Sequence, residues 1–404
     1  MKSGVVIVGG GQAAASAAAK LRELDSDVKI TMLCGEAVLP YQRPPLSKKY
    51  LSGEMPLDRL ILRPQEWFDQ QNIEVRCGQF VTSIDRDARQ AVLEDGSRVG
   101  YDKMLLTTGS KPRLLPDSIG ANAKGVHYLR AAIHADDMRP ILAAGRRLVV
   151  IGGGYIGLEV AAVAAQMGMD VTVVELAERI LQRVAAPQTS DFFRQLHSEN
   201  GVRILESTGL DKIIADGKGV TGVAIAGGTV IEADMVLVGI GVLPHTELAE
   251  ASGLTVENGI LVDRHCRTSD PDIYAAGDCS SFNFKGATIR LESVPNAIHQ
   301  AEIAAHNMLG GELDYVATPW FWSDQYSVKL QIAGLNTGYD DTLVRPGKRE
   351  GSQSVWYYKG DSLLAVDAMN DAPSFMMARR ILEAGKSVPK QVAADPQTNL
   401  KDWA

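Results

Sequence analysis

The chain has 404 residues, with 45% hydrophobic and 22% charged residues and a formal net charge of −8, which predicts two or three packed domains. No run of about 18 apolar residues is present to cross a membrane, and a strand begins almost at once, leaving no room for a signal peptide. The acidic balance and the lack of a basic run with interleaved aromatics argue against a nucleic-acid partner, though not against a local basic face for an acidic protein.

In chain order, a β-branched strand at residues 6–8 stops at Gly9-Gly10-Gly11 and gives way to a small-residue helix over 13–24. A dinucleotide site needs that order. Gly9 makes the tight turn, Gly11 lets backbone approach a pyrophosphate, and a small third residue, here Ala14, lets helix and strand pack closely. The phosphates then sit on the helix N-terminus. A strand over 28–33 follows, with Glu36 just beyond it, either bonding an adenosine ribose or serving as a solvated loop carboxylate. A proline-rich loop at 40–45 leads to strands at 91–93 and 104–106, with Asp95-Gly96 as a hairpin turn. Residues 107–112 close the segment.

The second glycine turn, Gly152-Gly153-Gly154, follows a strand at 149–151 and repeats the design with Gly157 in third place. A helix-like run at 161–167 leads through Gly168 to a strand at 171–174, which ends at Glu175, about 20 residues past the glycines as a ribose-binding carboxylate should be. A bound 2′-phosphate would oppose this carboxylate by roughly several kcal/mol, and no arginine follows before Arg179. The second site is therefore expected to take NADH rather than NADPH. An apolar run at 235–244 ends this unit, and strands at 260–262 and 272–278 follow, the latter broken at Gly277. From about residue 319 come alternating strands near 328–333 and 354–358, then a helix over 374–383. The tail from Val392 is polar and poor in helix signals. Two such turns suggest two dinucleotides, one feeding electrons to the other.

Cys34, Cys77, Cys266 and Cys279 include no Cys-x-x-Cys pair, and they read as reduced, mostly buried thiols. The seven histidines lack ligand spacing, so no metal site is expected.

With Thr107-Thr108-Gly109 and Ala276-Gly277-Asp278 added to the two turns, the chain resembles the pyridine-nucleotide-disulfide oxidoreductase superfamily. Within it, Pro40-Tyr41-Gln42-Arg43-Pro44-Pro45-Leu46-Ser47-Lys48 and the strings at 149–160, 292–297 and 319–326 are similar to the NADH-dependent ferredoxin reductases. The likeness covers essentially the whole chain. It implies an α/β fold with two Rossmann-like dinucleotide-binding domains, glutathione-reductase-like, plus a C-terminal α+β domain. Residues 1–110 and 243–318 would bind FAD, 111–242 NADH, and 319–404 would form the last domain. The resemblance places non-covalent FAD at Gly9, Gly11, Ala13, Ala14, Glu36, Arg43, Pro44, Lys48, Val81, Thr108, Gly109, Arg130, Gly277, Asp278, Val294 and Trp322. It places NADH at Gly152, Gly154, Tyr155, Ile156, Gly157, Glu159, Glu175 and Gly241. Asp278 suits a ribitol hydroxyl, Glu36 the ribose, and Pro44-Pro45 a rigid wall beside the flavin.

Lys48 and Glu159 are the catalytic candidates that the resemblance implies, paired beside the flavin. The cation would stabilise negative charge on the reduced ring. Glu159 would hold it and help seat the nicotinamide for direct hydride transfer, where positioning supplies most of the rate. Residues 35–76 contain no cysteine, so neither the redox pair of disulfide reductases nor the single cysteine of peroxidase-type relatives is present, and electrons must leave to an external acceptor. The implied acceptor is a two-iron, two-sulfur ferredoxin serving an oxygenase of cytochrome P450 or Rieske type, with a cytoplasmic setting. A rubredoxin reductase, an NADH oxidase and an apoptosis-inducing-factor-like interaction protein stay open as alternatives. Trp320 and Trp322 either shape the exit face or are core aromatics. Arg290, Arg379, Arg380, Lys386 and Lys390 either steer an acidic ferredoxin or belong to solvated faces.

Overall fold

The computed structural model describes residues 4–403, which divide into two compact units. One comprises the chain up to Arg43, Leu57–Lys111 and Val242–Pro319; the other comprises Pro44–Pro56, Pro112–Gly241 and the chain from Trp320.

The first unit is built on a parallel sheet whose strands run in the order Ile273–Ala275, Lys103–Leu106, Val5–Val8, Ile30–Cys34, Ile73–Cys77. Val5–Val8 and Ile30–Cys34 are buried along their whole length, as a parallel sheet covered on both faces requires. Helices Gln12–Leu24 and Val294–Met308 pack together through buried Ala13, Ala14, Ala17 and Ala18 on one and Ala297, Ala301, Ala304 and Ala305 on the other. Alanines at helical spacing put methyl groups on one face and let the axes come close. The strand expected from residue 28 starts at Ile30. Val28 is held outside the ladder, its N–H donating to Asp25 and its carbonyl accepting from Arg22 at 2.9 Å. The turn at Asp95-Gly96 joins antiparallel strands Gln90–Leu93 and Arg98–Gly100.

The second unit holds a parallel sheet in the order Arg203–Leu205, Asp170–Val174, Arg147–Ile151, Met235–Val238, Val126–His127. It also holds an antiparallel sheet in the order Trp320–Gln325, Val328–Gly334, Ser362–Met369, Gln353–Lys359, Asp341–Pro346. The helix after the second glycine turn spans Tyr155–Gln166 and so starts six residues before the run at 161. Residues 157–164 are all buried, so the helix lacks the two-faced pattern by which a sequence announces one. The apolar run at 235–244 splits at Gly239 to Gly241, where Gly241 takes φ +107°.

The tail departs from expectation. Lys390–Ala394 is a short helix and Leu400–Trp403 a 3-10 turn, with Ala393 and Leu400 buried in the same core as Phe375 and Ile381. Arg345 organises it, donating to the carbonyls of Ala393 at 2.9 Å, Asp395 at 2.6 Å and Thr398 at 2.9 Å. A partner that distant in sequence leaves no local signal. Among the described residues, no helix is long and apolar enough to cross a membrane.

Candidate functional site

Both parallel sheets finish alike at their carboxyl edges, where ligands of open α/β sheets bind. In the first unit, strand Val5–Val8 runs into Gly9 at φ +126°, Lys103–Leu106 into Thr107 to Gly109, and Ile273–Ala275 into Gly277 and Asp278. A Cβ at Gly9 would meet the Thr107 carbonyl at 2.3 Å, and one at Gly277 would meet Ala13 Cβ at 3.3 Å. The edge thus gathers Gly9, Ala13, Ala14, Thr108, Gly109, Gly277 and Asp278. Gly11 caps helix Gln12–Leu24 without a side-chain cap, and nothing lies within 4 Å of where its Cβ would be. Open space over bare helix N–H groups is what a pyrophosphate requires, so the residues fit an FAD.

Side chains aim the acidic groups of this cradle. Glu36 accepts from the Tyr41 hydroxyl at 2.6 Å and pairs with Arg43. Asp278 accepts from Ser110 at 3.1 Å. Val81 opens strand Val81–Asp85, and Val294 opens helix Val294–Met308 behind its Ser293 cap. Sequence reasoning missed Gln300, which is fully buried and accepts from the Gly277 N–H at 2.8 Å and Ser280 at 2.7 Å. A lone amide within an alanine stripe was the available signal. It also missed that Cys34 and Cys77 are Cα partners on adjacent strands. Both are free thiols, and burial pushes that of Cys34 up.

In the second unit, Gly152 takes φ +102°, and a Cβ there would meet the Gly239 carbonyl at 2.6 Å. Gly154 caps helix Tyr155–Gln166, again without a side-chain cap. A Cβ at Gly157 would lie 2.3 Å from the Gly152 carbonyl, which is the close helix–strand contact a third glycine permits. Glu175 is held by backbone: it accepts from the Gly153 N–H at 2.6 Å and the Ala177 N–H at 2.7 Å. Ile156 is exposed. The Tyr155 ring stands 5.0 Å from Phe321, and burial raises its hydroxyl pKa. Gly241 lies 3.6 Å, by its would-be Cβ, from Arg183. Arg130 precedes helix Ala132–Met138, its backbone N–H donating to His134 at 3.2 Å. The ordered backbone and bare helix start fit a second dinucleotide.

Glu159, one turn into that helix, is 4% exposed. One carboxylate oxygen takes the Lys48 ammonium at 2.6 Å and the Ser47 hydroxyl; the other takes the Ser323 hydroxyl at 2.6 Å. Lys48 also donates to the Pro44 carbonyl at 3.2 Å, across the 3-10 turn Pro44–Ser47. A buried carboxylate is costly alone, and a cation with two hydroxyls offsets much of that cost. Ser47 and Ser323 lie within the strings at 40–48 and 319–326 that carry the resemblance, but neither is among the site residues it implies. Strand Trp320–Gln325 explains how Ser323 arrives. Side chains alternate along a strand, so Phe321, Ser323 and Gln325 face Tyr155, Glu159 and His197. Trp320 faces the other way, 5.9 Å from Phe375, and stacks obliquely on Trp322 at 5.7 Å. Trp320 and Trp322 are both half-buried, and Trp320 packs against the edge of the C-terminal core.

Of the cations that could steer an acidic partner, Arg290 pairs with Glu292 and is only 11% exposed, Arg379 pairs with Glu383, and Lys390 pairs with Asp341. Arg380 and Lys386 are exposed.

A family model described as pyridine nucleotide-disulphide oxidoreductase matches residues 3–301, and one described as reductase C-terminal matches residues 320–404. The chain is similar to rhodocoxin reductase of Rhodococcus erythropolis, 44% identical over 400 residues that cover 98% of this chain and 93% of that protein. It is similar to putidaredoxin reductase of Pseudomonas putida, 42% identical over 404 residues, covering 98% and 96%. Among solved structures it is similar to a chain in the crystal structure of the covalent putidaredoxin reductase–putidaredoxin complex. That match has a TM-score of 0.95 and 40% identity, covering 100% of this chain and 98% of the other.

Proposed function

The chain belongs to the pyridine nucleotide-disulphide oxidoreductase family, and from that premise we propose an FAD-dependent NADH:ferredoxin reductase whose two-iron, two-sulfur ferredoxin serves an oxygenase. End-to-end likeness to reductases of small redox carriers is the observation that carries this reading. The lack of cysteine at residues 35–76 supports it, since electrons then have no thiol acceptor there. FAD, when bound, supplies the conversion of a hydride's electron pair into single-electron steps.

Residues 1–110 and 243–318 are assigned to FAD, 111–242 to NADH and 319–404 to the C-terminal α+β domain. In the first, Gly11 admits the pyrophosphate, while Glu36 and Asp278 take ribose and ribitol hydroxyls. In the second, Glu175 takes the adenosine ribose and repels a 2′-phosphate, which selects NADH. Glu159 fixes the Lys48 ammonium, and Lys48 supplies a preorganised positive charge where negative charge accumulates. No side chain has to remove a proton from NADH, because a hydride leaves with both electrons. Four free cysteines agree with work in a reducing cytoplasm.

The test is steady-state NADH oxidation by the purified flavoprotein with a panel of two-iron ferredoxins, with oxygen uptake followed in parallel. Strong stimulation by one ferredoxin with little oxygen consumed is expected. Oxygen consumption equal to NADH oxidation, without stimulation, would replace the reductase with an oxidase.

A further inference from the structure

Ser323, which donates to Glu159, is one link of a longer buried chain. Gln325 Nε2 donates to Ser323 Oγ at 3.3 Å, Gln325 Oε1 faces His197 Nε2 at 2.8 Å, and His197 Nδ1 faces the Tyr326 hydroxyl at 3.4 Å. His197 and Ser323 are 0% exposed and Gln325 is 1% exposed. The links join the last turn of helix Pro187–Glu199 and one face of strand Trp320–Gln325 to helix Tyr155–Gln166.

Chemistry sets the direction of every link. The carboxylate only accepts, so Ser323 gives its single proton to Glu159 and must accept from Gln325. The amide nitrogen therefore faces Ser323, and the amide oxygen faces His197. His197 Nε2 must then carry hydrogen, which leaves Nδ1 of the neutral ring to accept from Tyr326. Burial pulls the His197 pKa below its usual value, in keeping with a neutral ring. All the hydrogens point toward Glu159, and aligned donors polarise one another. A flipped Gln325 amide would present oxygen to Ser323 and draw its hydroxyl off Glu159. Apolar residues would fill the same space without the burial cost of three polar groups.

We propose that Gln325 and His197 are positioning residues for the reacting centre: they hold the Ser323 hydroxyl on Glu159 and, through Glu159, hold the Lys48 ammonium in place. The role rests on the assignment of Lys48 and Glu159 to hydride transfer.

Gln325→Glu keeps size and reverses the link to Ser323, because a second carboxylate competes for the proton of Ser323. Stopped-flow reduction of the enzyme's flavin by NADH should slow about tenfold, with the NADH dissociation constant little changed. His197→Phe, which removes the donor, should slow it by about the same factor, while His197→Gln, which keeps an N–H there, stays within about twofold of wild type. Nitrogen NMR of the wild-type protein, with His197 assigned by its loss in His197→Gln, should show hydrogen on Nε2. Glu159→Gln should be slow, and adding Gln325→Glu to it should cost nothing further. Wild-type rates in Gln325→Glu and His197→Phe beside a slow Glu159→Gln would overturn the positioning role and leave Glu159 its own. Equal losses in His197→Gln and His197→Phe, tracking lowered melting points, would reduce the chain to packing and overturn the role as well. Hydrogen on Nδ1 would overturn the chain's direction. A Glu159→Gln enzyme as fast as wild type would remove Glu159 from the reaction, and the positioning role would fall with it.

Discussion

Seven residues after Gly9 stands Ser16, and seven residues after Gly152 stands Glu159. Ser16 accepts from Gln12 within its own helix, whereas Glu159 is buried and gathers Lys48, Ser47 and Ser323. The carboxylates beyond the second strands differ too, since Glu36 is held by the side chains of Tyr41 and Arg43 and Glu175 by two backbone N–H groups. Among the described residues, the buried charged side chains are Glu159, Arg345, Asp367 and Asp371, and all four lie in the second unit. The first cradle is built from backbone shape and alanine packing, with the half-buried carboxylates Glu36 and Asp278 at its edge. The second has the same shape and adds a desolvated charge, which costs stability unless paired. Among the described residues, one backbone geometry is thus built twice, without a buried charge in the first unit and with one in the second.

The third position of the two turns gives the largest expected contrast. Gly157→Ala would push a methyl group onto the Gly152 carbonyl, a strain of about 3 kcal/mol or more, and should weaken NADH binding about 100-fold in titrations while FAD stays bound. Unchanged NADH binding would show that the helix can move off its strand, and the close-packing argument would go.

Asp367 probes the burial of charge in the second unit. It accepts from Thr189 at 2.8 Å and from Tyr357, and burial pushes its carboxyl from 3.8 up to about 6. The folded protein therefore holds this proton more tightly than the unfolded chain. Stability is fully present below 3.8 and is lost as pH rises through about 6, by roughly 3 kcal/mol. Between pH 4 and 7, wild type should lose stability in urea melts relative to Asp367→Asn. Parallel pH profiles would mean the charge is not what the fold is resisting.

Glu175 ranks next. Glu175→Ala combined with Ala177→Arg should shift preference from NADH toward NADPH by about tenfold in kcat/KM. An unchanged ratio would remove Glu175 as the discriminator. Ala14→Gly should do least, lowering stability by about 1 kcal/mol through helix propensity, with FAD still bound. A loss as large as that of Gly157→Ala would erase the asymmetry between the turns.

The two turns, the strand-end glutamates and the break at Gly277 were legible because each is local: a few residues at fixed spacing determine the backbone there. Lys48 and Glu159 were legible only through the resemblance, and the structure joins them at 2.6 Å. Ser47, Ser323 and Gln325 fall within strings that carry the resemblance, but their relation to Glu159, like that of His197, was not legible because it depends on contacts across much of the chain. The adjacency of Cys34 and Cys77 follows from parallel pairing, which places distant residues side by side without a sequence mark. The short helix at Lys390–Ala394 was missed for a like reason: its stability comes from Arg345 and a distant core rather than from its own pattern.

If the second unit carries the reacting charge as the pair of Lys48 and Glu159, stopped-flow reduction of Lys48→Met by saturating NADH, normalised to bound FAD, should run about 100-fold below wild type. A rate equal to wild type would show that the charge on Lys48 takes no part in hydride transfer.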